Sequence, residues 1–159
     1  MRDLPPTRAC FVCGCENPIG MRLKIRTDGK EVRAEFTPRR EHAGFKEVVH
    51  GGLITTVLDE LMAWACIVSA GKLCYGVELN VRFRRPLNPG TTATATARLD
   101  ADHGGRVLLV SAELKGPAGE EIAAATGKFM PAPEAEAEQF RTEFLGRIED
   151  LLPPVDDGN

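Results

Sequence analysis

Residues 48–70, VVHGGLITTVLDELMAWACIVSA, constrain the fold more than any other stretch. From Leu53 to Ala70 the polar residues are Thr55, Thr56, Asp59, Glu60 and Ser69, and apolar residues occupy every side of a helical wheel. A helix that is apolar all round belongs in a core or a bilayer. The spacing predicts a buried helix from about Gly52 to Ala70, stopped by Gly71. The longest unbroken apolar run, around Leu61 to Val68, is too short to span a bilayer, and carboxylates stand just upstream of it. A core helix is therefore expected, and two adjacent carboxylates near its middle have to be explained.

The flanking sequence supplies strands. In MRLKIRTDGKEVRAEFTP, Leu23 and Ile25 share one face and Arg22, Lys24 and Arg26 the other; Val32, Ala34 and Phe36 then alternate with Glu31, Arg33 and Glu35. The Asp-Gly between these halves is a hairpin signal. After the helix, YGVELNVRFRRPL places Val77, Leu79, Val81 and Phe83 on one face, and TTATATARLDA alternates Thr with Ala. RVLLVSAELK and EEIAAATGKFM are joined by the turn GPAG. Two strands, one long helix and an antiparallel run of strands make an α+β chain with a single helix to cover its sheet. A last segment, EAEAEQFRTEFLGRIEDLL, carries Phe140, Phe144, Ile148 and Leu151 at helical spacing behind an acidic first turn. It reads as a C-terminal helix packed on the body or as a contact between subunits. The expected division is a cysteine-rich segment over 1–18, one domain over 19–131, and a C-terminal helix and tail over 132–159, with PPVDDGN as a loose end.

A chain of 159 residues can bury one sizeable core. Its net charge of −3 gives no basic field for nucleic acid or an anionic membrane. MRDLPPTRAC lacks the apolar stretch of a signal peptide, so a cytoplasmic protein is expected, with neither nucleic acid nor membrane as a partner. Cys66 and Cys74 read as packing residues. Cys10, Cys13 and Cys15 cluster; they are either reduced structural thiols or ligands for zinc, which wants a fourth group such as His42. The reduced-thiol reading is favoured, so no metal and no cofactor is expected.

Adjacent helix residues point about 100° apart, so Asp59 and Glu60 cannot both face solvent from a buried helix. Such carboxylates are either satisfied by partners or line a pocket, where burial suits one of them to general-base work. His50-Gly51-Gly52 opens the same helix, and its unpaired N–H groups could hold an oxyanion. The identical tripeptide His103-Gly104-Gly105 falls in a hairpin loop, where turning the chain is explanation enough. Gly51 and Asp59 are separated by about 12 Å of helix, too far for one small reacting group. Two antiparallel copies of the helix would bring Gly51 of one chain beside Asp59 of the other, giving a dimer with shared sites.

HGGLITTVLDE followed by VRFRRPL resembles the hotdog-fold thioesterases, nearest to the phenylacetate-pathway type of the 4-hydroxybenzoyl-CoA thioesterase superfamily; CFVCGCENPIGMRLKI resembles an N-terminal signature of bacterial members. The likeness covers roughly residues 10 to 130. It implies a long helix wrapped by a curved antiparallel sheet, a homodimer or homotetramer, and hydrolysis of acyl-CoA thioesters at a site between subunits. In that resemblance Asp59 is the acid that activates water or attacks the thioester, Gly51 offers the backbone N–H that polarises its carbonyl, and His50 is a positioning group. Substrate-binding roles are expected for Gly52 and Glu60, and for Gly76, where many members carry a Ser or Thr that holds water. Without that hydroxyl, Tyr75, Glu78 or Asn80 would have to serve. Arg84 and Arg85 are candidates for the coenzyme A phosphates, although RFRRP also reads as a solvated strand face. A non-catalytic acyl-CoA binding protein on the same fold is the competing expectation. An enoyl-CoA hydratase would want a His shortly after Asp59, and ELMAWAC has none.

Overall fold

The computed structural model describes residues 1–152, so the PPVDDGN tail lies outside the described residues. Among these residues nine strands and two α-helices follow one another as β1 (Arg2–Asp3), β2 (Ile25–Thr27), β3 (Glu31–Phe36), β4 (Ala43–Phe45), β5 (Val48–Val49), α1 (Gly51–Ala70), β6 (Cys74–Phe83), β7 (Ala93–His103), β8 (Val107–Lys115), β9 (Glu121–Pro131) and α2 (Glu134–Arg141), with a 3-10 turn at Arg40–His42. Seven strands form one antiparallel sheet in the order β1-β2-β3-β7-β8-β9-β6, and β4 and β5 make a small separate ribbon. The sheet carries a long helix on its inner face, as the α+β hotdog expectation requires.

Strand alternation explains how the sheet closes around α1. On β7 the alanines at 93, 95 and 97 point inward and are buried, while Thr94 and Thr96 look outward. On β8 Leu108, Val110, Ala112 and Leu114 are buried, and on β9 Ala123, Ala125 and Phe129. The small residues on β7 and β9 make room for the helix, which fills the trough with Val57, Leu58, Leu61 and Met62. Space is tight at Gly127, where a methyl group would stand 3.4 Å from Met62 Sδ and 2.8 Å from the Phe129 ring. At 20 residues and a mean hydropathy of 1.6, α1 as a whole reaches the length of a membrane span, which the shorter run at 61–68 does not suggest; here its apolar surface is spent on the sheet instead. Gly71 caps it in the left-handed conformation, its N–H donating to Ile67 O.

Two expectations are corrected, and one strand is added. Val77 does not share the face of Leu79 and Val81: the register of β6 on β9 slips between Gly76 and Glu78, leaving Val77 as the extra residue of a bulge. The C-terminal helix is shorter than its spacing suggests, ending at Arg141 with Thr142 as its cap. The chain then turns, Thr7 and Phe144 form an isolated bridge, and Gly146 at φ 147° takes a conformation no helix contains. Phe144 still packs edge-on against Trp64 and Ile148 is still buried, so the apolar pattern reports burial on the body, not helix. Strand β1, for which the sequence gives no alternation, pairs Arg2 and Asp3 with Thr27 and Arg26.

Candidate active site

Asp59 lies on α1 facing the start of β6. A Cβ placed on Gly76 would stand 3.1 Å from Asp59 Oδ1, so the two residues are immediate neighbours across the helix–sheet boundary. Burial pushes the Asp59 carboxyl above its ordinary value, and among the described residues no cation and no hydrogen-bond donor offsets that effect. Its oxygens are not sealed in, because every fully buried side-chain oxygen or nitrogen among the described residues has a partner. The arrangement is a half-buried, unpaired carboxylate beside a small open corner. Of the other polar candidates on β6, two are engaged elsewhere, since Tyr75 hydroxyl bonds Glu136 and Glu78 pairs with Lys128 at 2.8 Å; Asn80 is exposed.

The first turn of α1 is built by His50. Its Nδ1 accepts the Gly52 N–H at 2.9 Å, and its own N–H donates to His42 O. That cap consumes one of the orphan donors of the helix end and leaves the Gly51 N–H without a hydrogen bond among the described residues. Gly44 on β4 backs the His50 ring; a methyl there would touch His50 at 3.0 Å. Gly51 in turn faces Phe83, whose ring would lie 3.2 Å from any Cβ at that position. Gly51, Phe83, Arg84 and Arg85 line one groove of about 350 Å³, an association that sequence spacing does not reveal. Arg84 Nε bonds Glu121 Oε1 at 3.2 Å and Arg85 reaches Glu121 O at 3.1 Å, so both guanidiniums are held at the groove's rim by the same residue.

Glu60 occupies different surroundings from Asp59. It accepts a hydrogen bond from Trp64 Nε1 at 3.1 Å, and its Oε2 lies 3.4 Å from Cys10 Sγ. Burial first, and the Cys10 sulfur second, push its carboxyl up to about 7. The Trp64 contact is legible as an i, i+4 pair; the Cys10 contact spans 50 residues and is not. Cys15 is exposed, outside this cluster, and His42 is buried elsewhere, stacked on Phe36 with Arg39 N–H donating to its Nδ1. Cys10, Cys13 and Glu60, not Cys15 and His42, therefore form the ligand-type cluster. Cys66 is buried and Cys74 half-buried, both as free thiols. The second His-Gly-Gly forms the β7–β8 turn, with Gly104 and Gly105 both at positive φ, 64° and 69°.

Residues 46–122 match the family model of the thioesterase superfamily. Among curated proteins, the uncharacterized protein C26H8.11c of Schizosaccharomyces pombe is 35% identical over 63 residues, which is 39% of this chain and 36% of that protein. Among solved structures, protein RHA08564, a thioesterase superfamily protein, superposes with a TM-score of 0.71 at 26% identity, covering 77% of this chain and 60% of its own. This chain thus spans less than two thirds of the length of either. Escherichia coli PaaI, from the phenylacetic acid degradation operon, gives a TM-score of 0.65 at 21% identity, covering 71% of this chain and 81% of its own. The smu.793 protein of Streptococcus mutans bound to acetyl CoA gives 0.66 at 17%, covering 74% and 94%. The last two likenesses speak for the fold. With the helix-in-sheet architecture they show that this chain has the hotdog fold, and over residues 46–122 it is similar to the thioesterase superfamily.

Proposed function

We propose that the protein hydrolyses acyl-CoA thioesters, with Asp59 as the reacting carboxylate and the Gly51 N–H as the donor to the thioester oxygen. One observation carries this reading: the fold leaves a half-buried carboxylate and a helix-terminal N–H both without partners among the described residues, on the helix of a domain similar to the thioesterase superfamily. Asp59 acts either by drawing a proton from water or by attacking the carbonyl carbon. In the first case water adds to the carbonyl carbon, and in the second the mixed anhydride formed with Asp59 is hydrolysed by water; either way the C–S bond breaks, the free acid is released and a proton from the water goes to the coenzyme A thiol. The Gly51 N–H, at the positive end of α1, stabilises the charge that collects on the carbonyl oxygen. Arg84 and Arg85, on the same groove as Gly51, meet the phosphates of the coenzyme. His50 is a positioning residue: it ties up the Gly52 N–H and fixes the first turn.

Asp59 and Gly51 stand about 12 Å apart along one helix, so a single thioester is served by Gly51 of one copy and Asp59 of another. The unpaired outer edge of β6, where Val77 and Phe83 are 55% and 53% exposed, is the surface that supports such a pairing. A homodimer is the smallest assembly that completes the site, and the cytoplasm is the compartment proposed for it.

Thiol release from short, medium, long and aryl acyl-CoAs tests this, with wild type and Asp59→Asn in parallel. Expected is turnover by wild type and a loss of about 10²- to 10⁴-fold in the variant, the range for a positioned general base. Full turnover in Asp59→Asn would sink the assignment. A second reading, an acyl-CoA binding protein without turnover, draws on Gly76, which puts no hydroxyl beside Asp59. Tight binding with an intact thioester would establish it.

A further inference from the structure

We propose that Cys10, Cys13 and Glu60 form a binding site for a thiophilic divalent cation, zinc foremost, that fastens the N-terminal segment to α1. The two sulfurs and a carboxylate oxygen all lie within 4.8 Å of one another, and Cys10 Sγ is 3.4 Å from Glu60 Oε2. Zinc–sulfur bonds of about 2.3 Å and zinc–oxygen bonds of about 2.0–2.2 Å set tetrahedral edges of roughly 3.5–3.8 Å between such ligands. Cys10 Sγ and Glu60 Oε2 already stand at about that spacing, and the other separations, at most 4.8 Å, need to close by no more than about 1 Å around an ion.

The loop carrying the cysteines is shaped for thiolate. Val12 N–H donates to Cys10 Sγ at 3.3 Å. Gly14 closes the turn, its N–H donating to Cys10 O at 2.9 Å. A side chain is impossible there, since a Cβ would stand 2.3 Å from Cys10 O. Asn17 holds the loop from the far side, its Nδ2 donating to Ala9 O at 3.0 Å. A Cys-x-x-Cys turn with the Val12 amide on its first sulfur, followed by an obligatory glycine, brings both sulfurs within reach of Glu60.

Around the cluster, Thr7 Oγ1 lies 3.3 Å from Cys13 Sγ and Trp64 fixes the other oxygen of Glu60. An outer shell that orients the ligands is what a metal site requires. Cys10, Glu60 and Trp64 also line a cavity of about 230 Å³ that extends to Phe140 and Phe144. The fourth coordination position opens toward it and takes water. The cation would then be held one residue from Asp59, on the neighbouring face of the same helix.

The test uses the full-length protein, reduced and stripped of metal, titrated with zinc against a chromophoric chelator and separately with cobalt. Expected are one cation per chain, a thiolate-to-cobalt charge-transfer band, and the intense visible bands of a tetrahedral ion. Cys13→Ser abolishes the charge-transfer band or shrinks it by about half. Glu60→Gln weakens binding beyond the roughly 10- to 100-fold that loss of an outer-shell partner brings. Cys15→Ser, which alters only the exposed thiol, leaves both unchanged. Circular dichroism shows whether each variant is folded, and zinc raises the unfolding temperature of wild type but not of Cys13→Ser. The proposal is overturned if reduced wild type takes up neither ion, if Cys13→Ser binds as tightly as wild type, or if only a Cys10–Cys13 disulfide is found with no metal binding after its reduction.

Discussion

Gly76 offers the sharpest probe of the corner around Asp59. A methyl group there would come within 3.1 Å of Asp59 Oδ1 and 3.2 Å of Phe129 Cε1, and each contact must yield by a few tenths of an ångström. Phe129 is fully buried and holds its place; the unpartnered Asp59 carboxylate can rotate away. Gly76→Ala therefore sits at the mild end of overpacking, about 1 kcal/mol. The stiffer unfolded chain returns about 0.4–1 kcal/mol, so alanine ends within about 0.5 kcal/mol of wild type. Gly76→Ser meets the same contacts, but its hydroxyl donates to Asp59. Hydrogen bonds to charged groups contribute about 1.5–3 kcal/mol, and the half-exposed setting selects the lower figure. Serine should thus be about 1.5 kcal/mol more stable than alanine, roughly tenfold in the folding equilibrium. Urea unfolding of both variants, each in wild-type and Asp59→Ala backgrounds, measures that gap. It should vanish when Asp59 is gone. Equal stabilities in the wild-type background, or a gap that survives Asp59→Ala, would refute the placement of Gly76 against the carboxylate.

Two further outcomes follow from packing and burial. Leu61→Ala empties a fully buried position on α1 and should cost about 2–5 kcal/mol, lowering Tm by roughly 2–4 °C per kcal/mol, whereas Ser69→Ala at the exposed end of the helix should stay within about 0.5 kcal/mol; thermal unfolding compares them. His42 is held below its ordinary value of 6.5, first by burial and then by Arg39, so the unfolded chain takes up its proton before the folded one does. Its contribution to stability is complete above 6.5 and is lost as pH falls from there through the depressed folded value; Tm measured against pH should show this loss in wild type and not in His42→Gln.

The periodic parts of this molecule were legible because periodicity is a local property. The apolar wheel of 53–70 and the stop at Gly71 located α1 to within a residue, and the Thr/Ala alternation of β7 placed its alanines inward. Asp59 and Gly51 stood out for the same local reason, one as a charge on an apolar helix and the other at its start. What escaped was set by contacts between distant residues. A bulge at Val77 depends on the register with β9, and no pattern within the strand announces it. Phe140, Phe144, Ile148 and Leu151 keep helical spacing although Gly146 prevents a continuous helix, since burial and backbone conformation are separate demands. The partner of the cysteine pair was sought at Cys15 and His42, close in sequence or in residue type, and was found at Glu60, delivered by the passage of α1 beneath the N-terminal loop.

The two His-Gly-Gly copies differ in handedness. In the β7–β8 turn Gly104 and Gly105 need positive φ and face open space or a movable lysine, so a residue of D configuration would fit where an L residue strains. At the head of α1, Gly51 and Gly52 have ordinary helical backbones, and what a side chain meets there is matter: the ring of Phe83 and the ring of His50. An ordinary L-alanine would therefore strain the backbone of the loop copy, whereas at the helix copy it would leave the backbone at ease and press on those two rings. The same three letters encode a demand of chirality in the loop and a demand of volume at the helix.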